Sequence, residues 1–336
     1  MADTVETATE LSTKYDTPMG LAHGTMTALK ERIKTHYDLA SDYYLSLWGE
    51  HIHHGYWPTE DSKKTETKEQ AQLNLINLLL SISSPASATT PILPQGLKVL
   101  DVGCGLGGTS RHLASLGASV TGITISSKQV EMATRLTQTH SSSLSPAVPD
   151  AEGYLPFGPG RVRFLELDAE KMCDADGPLG PDAPGSFDFV WISEALSHVP
   201  GKEAFFRNAH GLLREGGRLV IADWFKGAGV AEGDADIKAI EDGMLLPPLH
   251  TQQGYVDLAT KAGFAILAEP KDISKDVAKT WDISWSLVQN PALWSFALTQ
   301  GRDGIAFLQA FRAMRRGYAN GTFRYGVMAF VKGSAA

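Results

Sequence analysis

Two short stretches hold residue types that could do chemistry. In the first, Asp101-Val102-Gly103-Cys104-Gly105-Leu106-Gly107-Gly108, an acid is followed closely by four glycines. Glycines let a backbone turn tightly and approach a ligand, and N–H groups at a helix start favour anionic or electron-rich groups. The second is Glu194-Ala195-Leu196-Ser197-His198, a carboxylate and an imidazole four residues apart. A neutral histidine can accept a proton near pH 7, while a carboxylate can orient a partner or balance a charge. A third group, His51, His53 and His54 near Trp57, invites a metal reading. No carboxylate stands at a matching spacing, so these residues read as pocket lining and no metal is expected.

Elements that must position these residues follow from the flanking patterns. Val99 to Val102 is a short apolar run before the glycines, and Thr109 to Leu116 resumes helical spacing, giving strand, turn and helix. Further strands are expected at Ala118 to Ile123, Val162 to Leu167, Phe189 to Ser193, Arg218 to Ala222, Gly263 to Glu269 and Phe323 to Val331. Their alternation with helical segments predicts an α/β, doubly wound, mostly parallel seven-stranded sheet. Glu194 and His198 then lie at the carboxyl end of a strand, where ligands collect in such sheets. Residues 1–24 read as a loosely ordered N-terminus and 25–94 as a helical cap. The remainder, 95–336, reads as the core with a lid insertion at about 225–322. The Gly/Pro-rich run starting at His140 is expected to be a mobile insertion. Trp281, Trp285, Trp294 and Phe296 could roof an acceptor pocket, although helical spacing more often means packing between helices.

Gly103, Gly105 and Gly108 also satisfy the loose dinucleotide pattern G-x-G-x-x-G. Asp101 at the head of the turn, and the lack of an acid between Gly122 and Ser127 to bind a ribose, count against a dehydrogenase.

The string D-V-G-C-G-L-G-G resembles the first motif of class I S-adenosylmethionine-dependent methyltransferases. V-T-G-I-T-I-S-S-K-Q resembles the second-strand segment of the small-molecule branch that holds tocopherol, sterol and alkaloid N-methyltransferases. Phe187 to Val199 and Leu212 to Trp224 resemble that branch's fourth and fifth strand motifs, and His36 to Trp57 its N-terminal cap. The resemblance implies a Rossmann-like methyltransferase fold with S-adenosyl-L-methionine as cofactor. It gives Asp101, Gly103 and Gly105 a cofactor-binding role in the turn, and places Tyr37 at the amino-acid end, Thr124 and Gln129 at the ribose, Asp168 and Ala169 at the adenine, and the Ser193 backbone at the end of the fourth strand. Glu194 and His198 match the branch's E-x-x-x-H, with His198 the leading base, and His54 a further residue near the acceptor. Carbon, nitrogen and oxygen all stay open as the methylated atom of an apolar secondary metabolite. A cofactor-binding fold that catalyses another reaction, such as a cyclisation, is the alternative.

The 336 residues carry 30 Lys and Arg against 38 Asp and Glu, a net charge of −8, so no basic field exists to hold a nucleic acid. Cys104 and Cys173 are too few for a disulfide framework or a four-cysteine zinc site. The polar, acidic start does not read as a signal peptide, and no apolar run reaches the ~18 residues of a membrane span. A cytoplasmic enzyme acting on a small-molecule acceptor is expected, with a homodimer left open.

Overall fold

The computed structural model describes residues 26–84, 95–141, 148–288 and 302–333. The expected loose N-terminus at 1–24, Trp294, Phe296 and part of the run after His140 lie outside the described residues. Eight strands form one sheet: β1 (Lys98–Val102), β2 (Ser119–Thr124), β3 (Leu155–Phe157), β4 (Gly160–Glu166), β5 (Phe187–Ser193), β6 (Leu213–Lys226), β7 (Phe264–Asp272) and β8 (Phe323–Lys332). Their order is β3-β4-β2-β1-β5-β6-β8-β7. β4, β2, β1, β5 and β6 run parallel, whereas β8 is antiparallel to both β6 and β7.

Seven of these are the expected strands, and the eighth, β3, adds an antiparallel edge inside the Gly/Pro-rich run. Composition concealed it, because Pro156 and the surrounding glycines signal a loop, but proline is tolerated in an edge strand. What holds β3 is tertiary. Tyr154 stacks under the Arg161 and Arg163 guanidinium groups at 4.1 and 4.6 Å, and its hydroxyl meets Thr121 Oγ1 at 2.7 Å.

Every residue of β2 is buried, as expected of a strand covered on both faces. One face of the sheet packs against helices Lys68–Ile82, Gly108–Ser115 and Ser127–Ser141 through Leu75, Leu79, Leu113 and Ala133. The other packs against Lys202–Leu212 and Gln252–Lys261 through Phe205, Phe206, Tyr255 and Val256. Each fully buried phenylalanine contributes about 1.5–3 kcal/mol of apolar transfer.

The stretch expected as a lid, 225–322, divides in two. Gln252–Lys261 and β7 belong to the sheet layers, while helices Ala235–Gly243 and Arg302–Asn320 cross beside it. Their close crossing requires Gly243, whose missing Cβ would lie 2.6 Å from Ala310 Cβ. The N-terminal cap helix, Met26–Trp48, seats Leu29 and Ile33 against Leu245 and Ala306. Lys30, pairing with Asp168 and Glu170, and Lys34, pairing with Glu166, tie it to the chain at and beyond the end of β4. Among the described residues no helix is long and apolar enough to cross a membrane.

Candidate active site

β1 and β5 are neighbours at the point where strand order reverses, so their carboxyl ends open a crevice. The turn leaving β1 and the turn leaving β5 meet there. Gly103 has φ +73°, and a Cβ on it would collide with Ala195, so both backbone conformation and crowding demand glycine. Its N–H and that of Cys104 donate to the Ile123 carbonyl at 2.8 and 3.0 Å, anchoring the turn to β2. Gly105, φ +53°, faces open space, with Ile52 Cδ1 at 3.6 Å the nearest atom a Cβ would meet. That side-chain-free surface borders a cavity with an empty volume of about 1090 Å³, its open mouth included.

Eleven of the twelve expected site residues line this cavity: Tyr37, Asp101, Gly103, Gly105, Thr124, Gln129, Asp168, Ala169, Ser193, Glu194 and His198. Asp101 is 3% exposed, and its Oδ2 accepts the Ser110 hydroxyl at 2.5 Å. Burial pushes its pKa up to about 6, with the Ser110 bond opposing the rise. Beyond β2, Thr124 Oγ1 donates to Gln129 Oε1 at 2.6 Å, so these two side chains form one polar unit. Asp168 Oδ1 accepts the Glu170 N–H at 2.9 Å, and its Oδ2 accepts from Lys30 Nζ at 2.9 Å. An acid does come close to the β2 end after all: Asp38 of the cap helix accepts the Ser126 hydroxyl at 2.5 Å. Local sequence could not show it, since the two residues are 88 positions apart.

His54 lies in a second, aromatic chamber with Tyr44, Trp48, Trp224, Trp281, Phe307 and Phe311. Tyr37, Ile52, His53, Glu194 and His198 border both spaces, so their side chains form the wall between them. Glu194 Oε2 accepts from His54 Nδ1 at 2.9 Å, and its Oε1 accepts the His54 N–H at 2.6 Å and the Tyr325 hydroxyl at 2.8 Å. Burial alone would raise the Glu194 pKa, but the His54 charge and hydrogen bonds reverse this and hold it below the ordinary value. Both carboxylate oxygens therefore have protein donors. Glu194 serves as a fixed negative charge and as the orienting partner of His54.

His198 Nε2 stands 3.4 Å from the Tyr37 hydroxyl, the rings edge to face. Burial above all, with the charges of His36 and Lys202, lowers its pKa to about 4, and the Leu245 backbone and Glu194 only partly offset this. It is neutral at physiological pH. Among the described residues, the non-glycine positions with positive φ are Glu194 (54°) and Leu245 (53°), and both adjoin His198. Such conformations cost on the order of 1–3 kcal/mol each and persist where surrounding structure imposes them. His51 and His53 lie beside each other, 5.2 Å between ring centroids, and burial lowers both pKa values. Among the described residues no group of three or more His, Cys, Asp or Glu side chains is placed to hold a metal.

Sequence reasoning missed Tyr325, on β8, and Trp224, whose ring centroid lies 6.1 Å from those of both His54 and His198. The buried tyrosine and tryptophan within strands read as core. Replacing Glu194 by Gln places an amide N–H₂ among donors from His54 and Tyr325. A loss of about 1–3 kcal/mol in thermal or denaturant unfolding is expected. Unchanged stability would show that the three bonds are not formed in solution.

Residues 100–221 match the family model described as "Methyltransferase domain", and residues 25–148 match "Mycolic acid cyclopropane synthetase". The chain is 34% identical over 242 residues to the O-methyltransferase cnsE of Penicillium expansum, covering 72% of this chain and 74% of that protein. It is 25% identical over 315 residues to the chloroplastic tocopherol O-methyltransferase of Arabidopsis thaliana, covering 90% and 82%. A putative sarcosine dimethylglycine methyltransferase from Galdieria sulphuraria superposes with TM-score 0.70 at 20% identity, covering 90% of this chain and all of that one. This protein belongs to the class I S-adenosylmethionine-dependent methyltransferases that act on small molecules.

Proposed function

We propose that the acceptor is an apolar molecule bearing a phenol or alcohol, and that its hydroxyl oxygen is methylated with His198 as the base. The observation that carries this reading is the wall between the two spaces. His198 belongs to it, keeps part of its surface open, and is neutral at physiological pH. Tyr37 shares that wall, but burial raises its pKa and keeps it protonated. The names of two relatives as O-methyltransferases support the choice of oxygen.

The cofactor fits the larger cavity, because Gly105 leaves a side-chain-free floor and Asp101 sets a buried acid beside it. In this reading Asp101 faces the cationic amino-acid end, Thr124 and Gln129 the ribose hydroxyls, and Asp168 and Ala169 the adenine. S-adenosylmethionine supplies an electrophilic methyl on a cationic sulfur. The protein's task is to align that methyl with the acceptor oxygen, exclude water and take the hydroxyl proton. The aromatic chamber holds the acceptor body and keeps it dry. As the oxygen bonds to the methyl, His198 receives the proton. The bound donor would lose the positive charge of its sulfur as His198 gains one, so the net charge of the site would be the same before and after transfer.

Incubation of the full chain with methyl-labelled donor and an extract containing apolar phenols and alcohols tests this. A product one methylene heavier, labelled as a methyl ether, is expected. Label on carbon or nitrogen would overturn the oxygen assignment, and a converted acceptor of unchanged mass would point to the cyclisation reading.

A further inference from the structure

Lys202 opens the Lys202–Leu212 helix, where a lysine would ordinarily reach water, yet it is 3% exposed. Its Nζ donates to the Val199 carbonyl at 2.9 Å and reaches the Ser197 carbonyl at 3.4 Å. Asp223, on β6, is fully buried and accepts the Ser197 N–H at 2.6 Å, the Trp224 N–H at 2.8 Å and the Tyr255 hydroxyl at 3.2 Å. A cation thus holds the carbonyl side of one short turn and an anion its amide side. That turn is the 3₁₀ segment Leu196–His198, whose last residue is His198.

We infer that Lys202 and Asp223 are positioning residues for methyl transfer, a buried charge pair that clamps the turn and so sets where the His198 ring stands. The inference rests on the proposed role of His198 as base. Taking two charges out of water is costly, and apolar side chains of equal volume could fill the same space. They could not bond both the carbonyls and the amide of a three-residue turn. Trp224, adjoining Asp223 in sequence and donating its backbone N–H to that carboxylate, places the chamber wall from the same anchor.

Lys202 is faced by Asp223 from β6, Glu241 from the Ala235–Gly243 helix, Glu170 from the turn after β4 and His250 from the segment before the Gln252–Lys261 helix. Burial lowers the Lys202 pKa and raises that of Asp223, and the acids around Lys202 partly restore its charge. His198 is faced by His36 and Tyr37 from the cap helix, by Glu194 from the end of β5 and by Lys202 itself. The lysine charge therefore repels a proton on His198 as well as holding its turn.

The test needs no identified acceptor. The His198 ring signal in the full chain, assigned by its loss in His198→Ala, is titrated by NMR of histidine-labelled protein, and donor affinity is measured by calorimetry. In Lys202→Met the His198 midpoint is expected to move up by about one pH unit as the repelling charge is lost. Donor affinity should change by less than about threefold, because the donor cavity does not include Lys202. Lys202→Arg should restore the midpoint. With the acceptor found in the product screen, kcat should fall about 10–100-fold in Lys202→Met and recover in the arginine variant. Should Lys202→Met not fold, Asp223→Asn, of nearly equal size, must displace the His198 ring signal and lower kcat about 10–100-fold, because the turn loses its charged acceptor on the amide side. A lowered melting temperature with an unmoved His198 midpoint and unchanged kcat overturns the inference. Wild-type turnover in His198→Ala overturns the base reading and the inference together, whereas strong loss there beside an unaffected Lys202→Met overturns the inference alone.

Discussion

Asp101→Ala is expected to abolish measurable binding of S-adenosylmethionine, weakening affinity by about 100-fold or more, or roughly 3 kcal/mol. In the proposed site the donor would bring an ammonium and a sulfonium into a cavity whose wall at the β1 end is a 3%-exposed carboxylate. Removing that carboxylate leaves cationic groups without their anionic neighbour and also strips Ser110 Oγ of its acceptor. A pH dependence follows with a definite sign. Burial has raised the Asp101 pKa to about 6, so the group is increasingly protonated below that value. Binding of a cation favours the ionised form, so affinity should rise with pH through about 6 and level off above it. Asp101→Asn should bind weakly and lose that dependence between pH 5 and 7. Calorimetry at several pH values reads both effects. A folded Asp101→Ala protein with wild-type affinity would remove this residue from the donor site.

His198→Ala should lower kcat by about 10²–10⁴-fold while leaving donor affinity nearly unchanged. In the proposed O-methylation the proton on the acceptor oxygen would leave as the ether forms, and His198 is a neutral, partly open imidazole between the two spaces. Its pKa near 4 means that the acid limb of activity at saturating donor should fall below the usual histidine range, since protonation, not deprotonation, disables the base. His54→Ala is the informative comparison. His54 is bonded to Glu194 and borders only the chamber, so its loss should disturb the wall without removing the proton acceptor. Equal turnover in wild type and His198→Ala, or a far larger loss in His54→Ala, would reassign the base.

The glycine turn was readable because it is local. A strand, closely spaced glycines and a helix start occupy one run of sequence, and each element has its own signature of period and residue type. The E-x-x-x-H spacing was equally local, yet it did not disclose the partners of either residue. The fold gives both oxygens of Glu194 donors from His54 and Tyr325. Those partners come from the loop after the cap helix and from β8, 140 and 131 positions away. Likewise β3 was hidden by Pro156 and the glycines around it and emerges only where Tyr154 meets arginines on β4.

The sequence by itself determined the strand-and-helix alternation, the glycine turn with its acid, and hence the family and its methyl donor, since these depend on neighbours along the chain. Tertiary structure alone decided the surroundings of His198 and Glu194. Which charges surround His198, which carboxylate is already engaged and which aromatic rings close the chamber depend on side chains brought together from distant segments. Hydrogen bonds and buried charges act over a few ångströms of space whatever the separation along the chain.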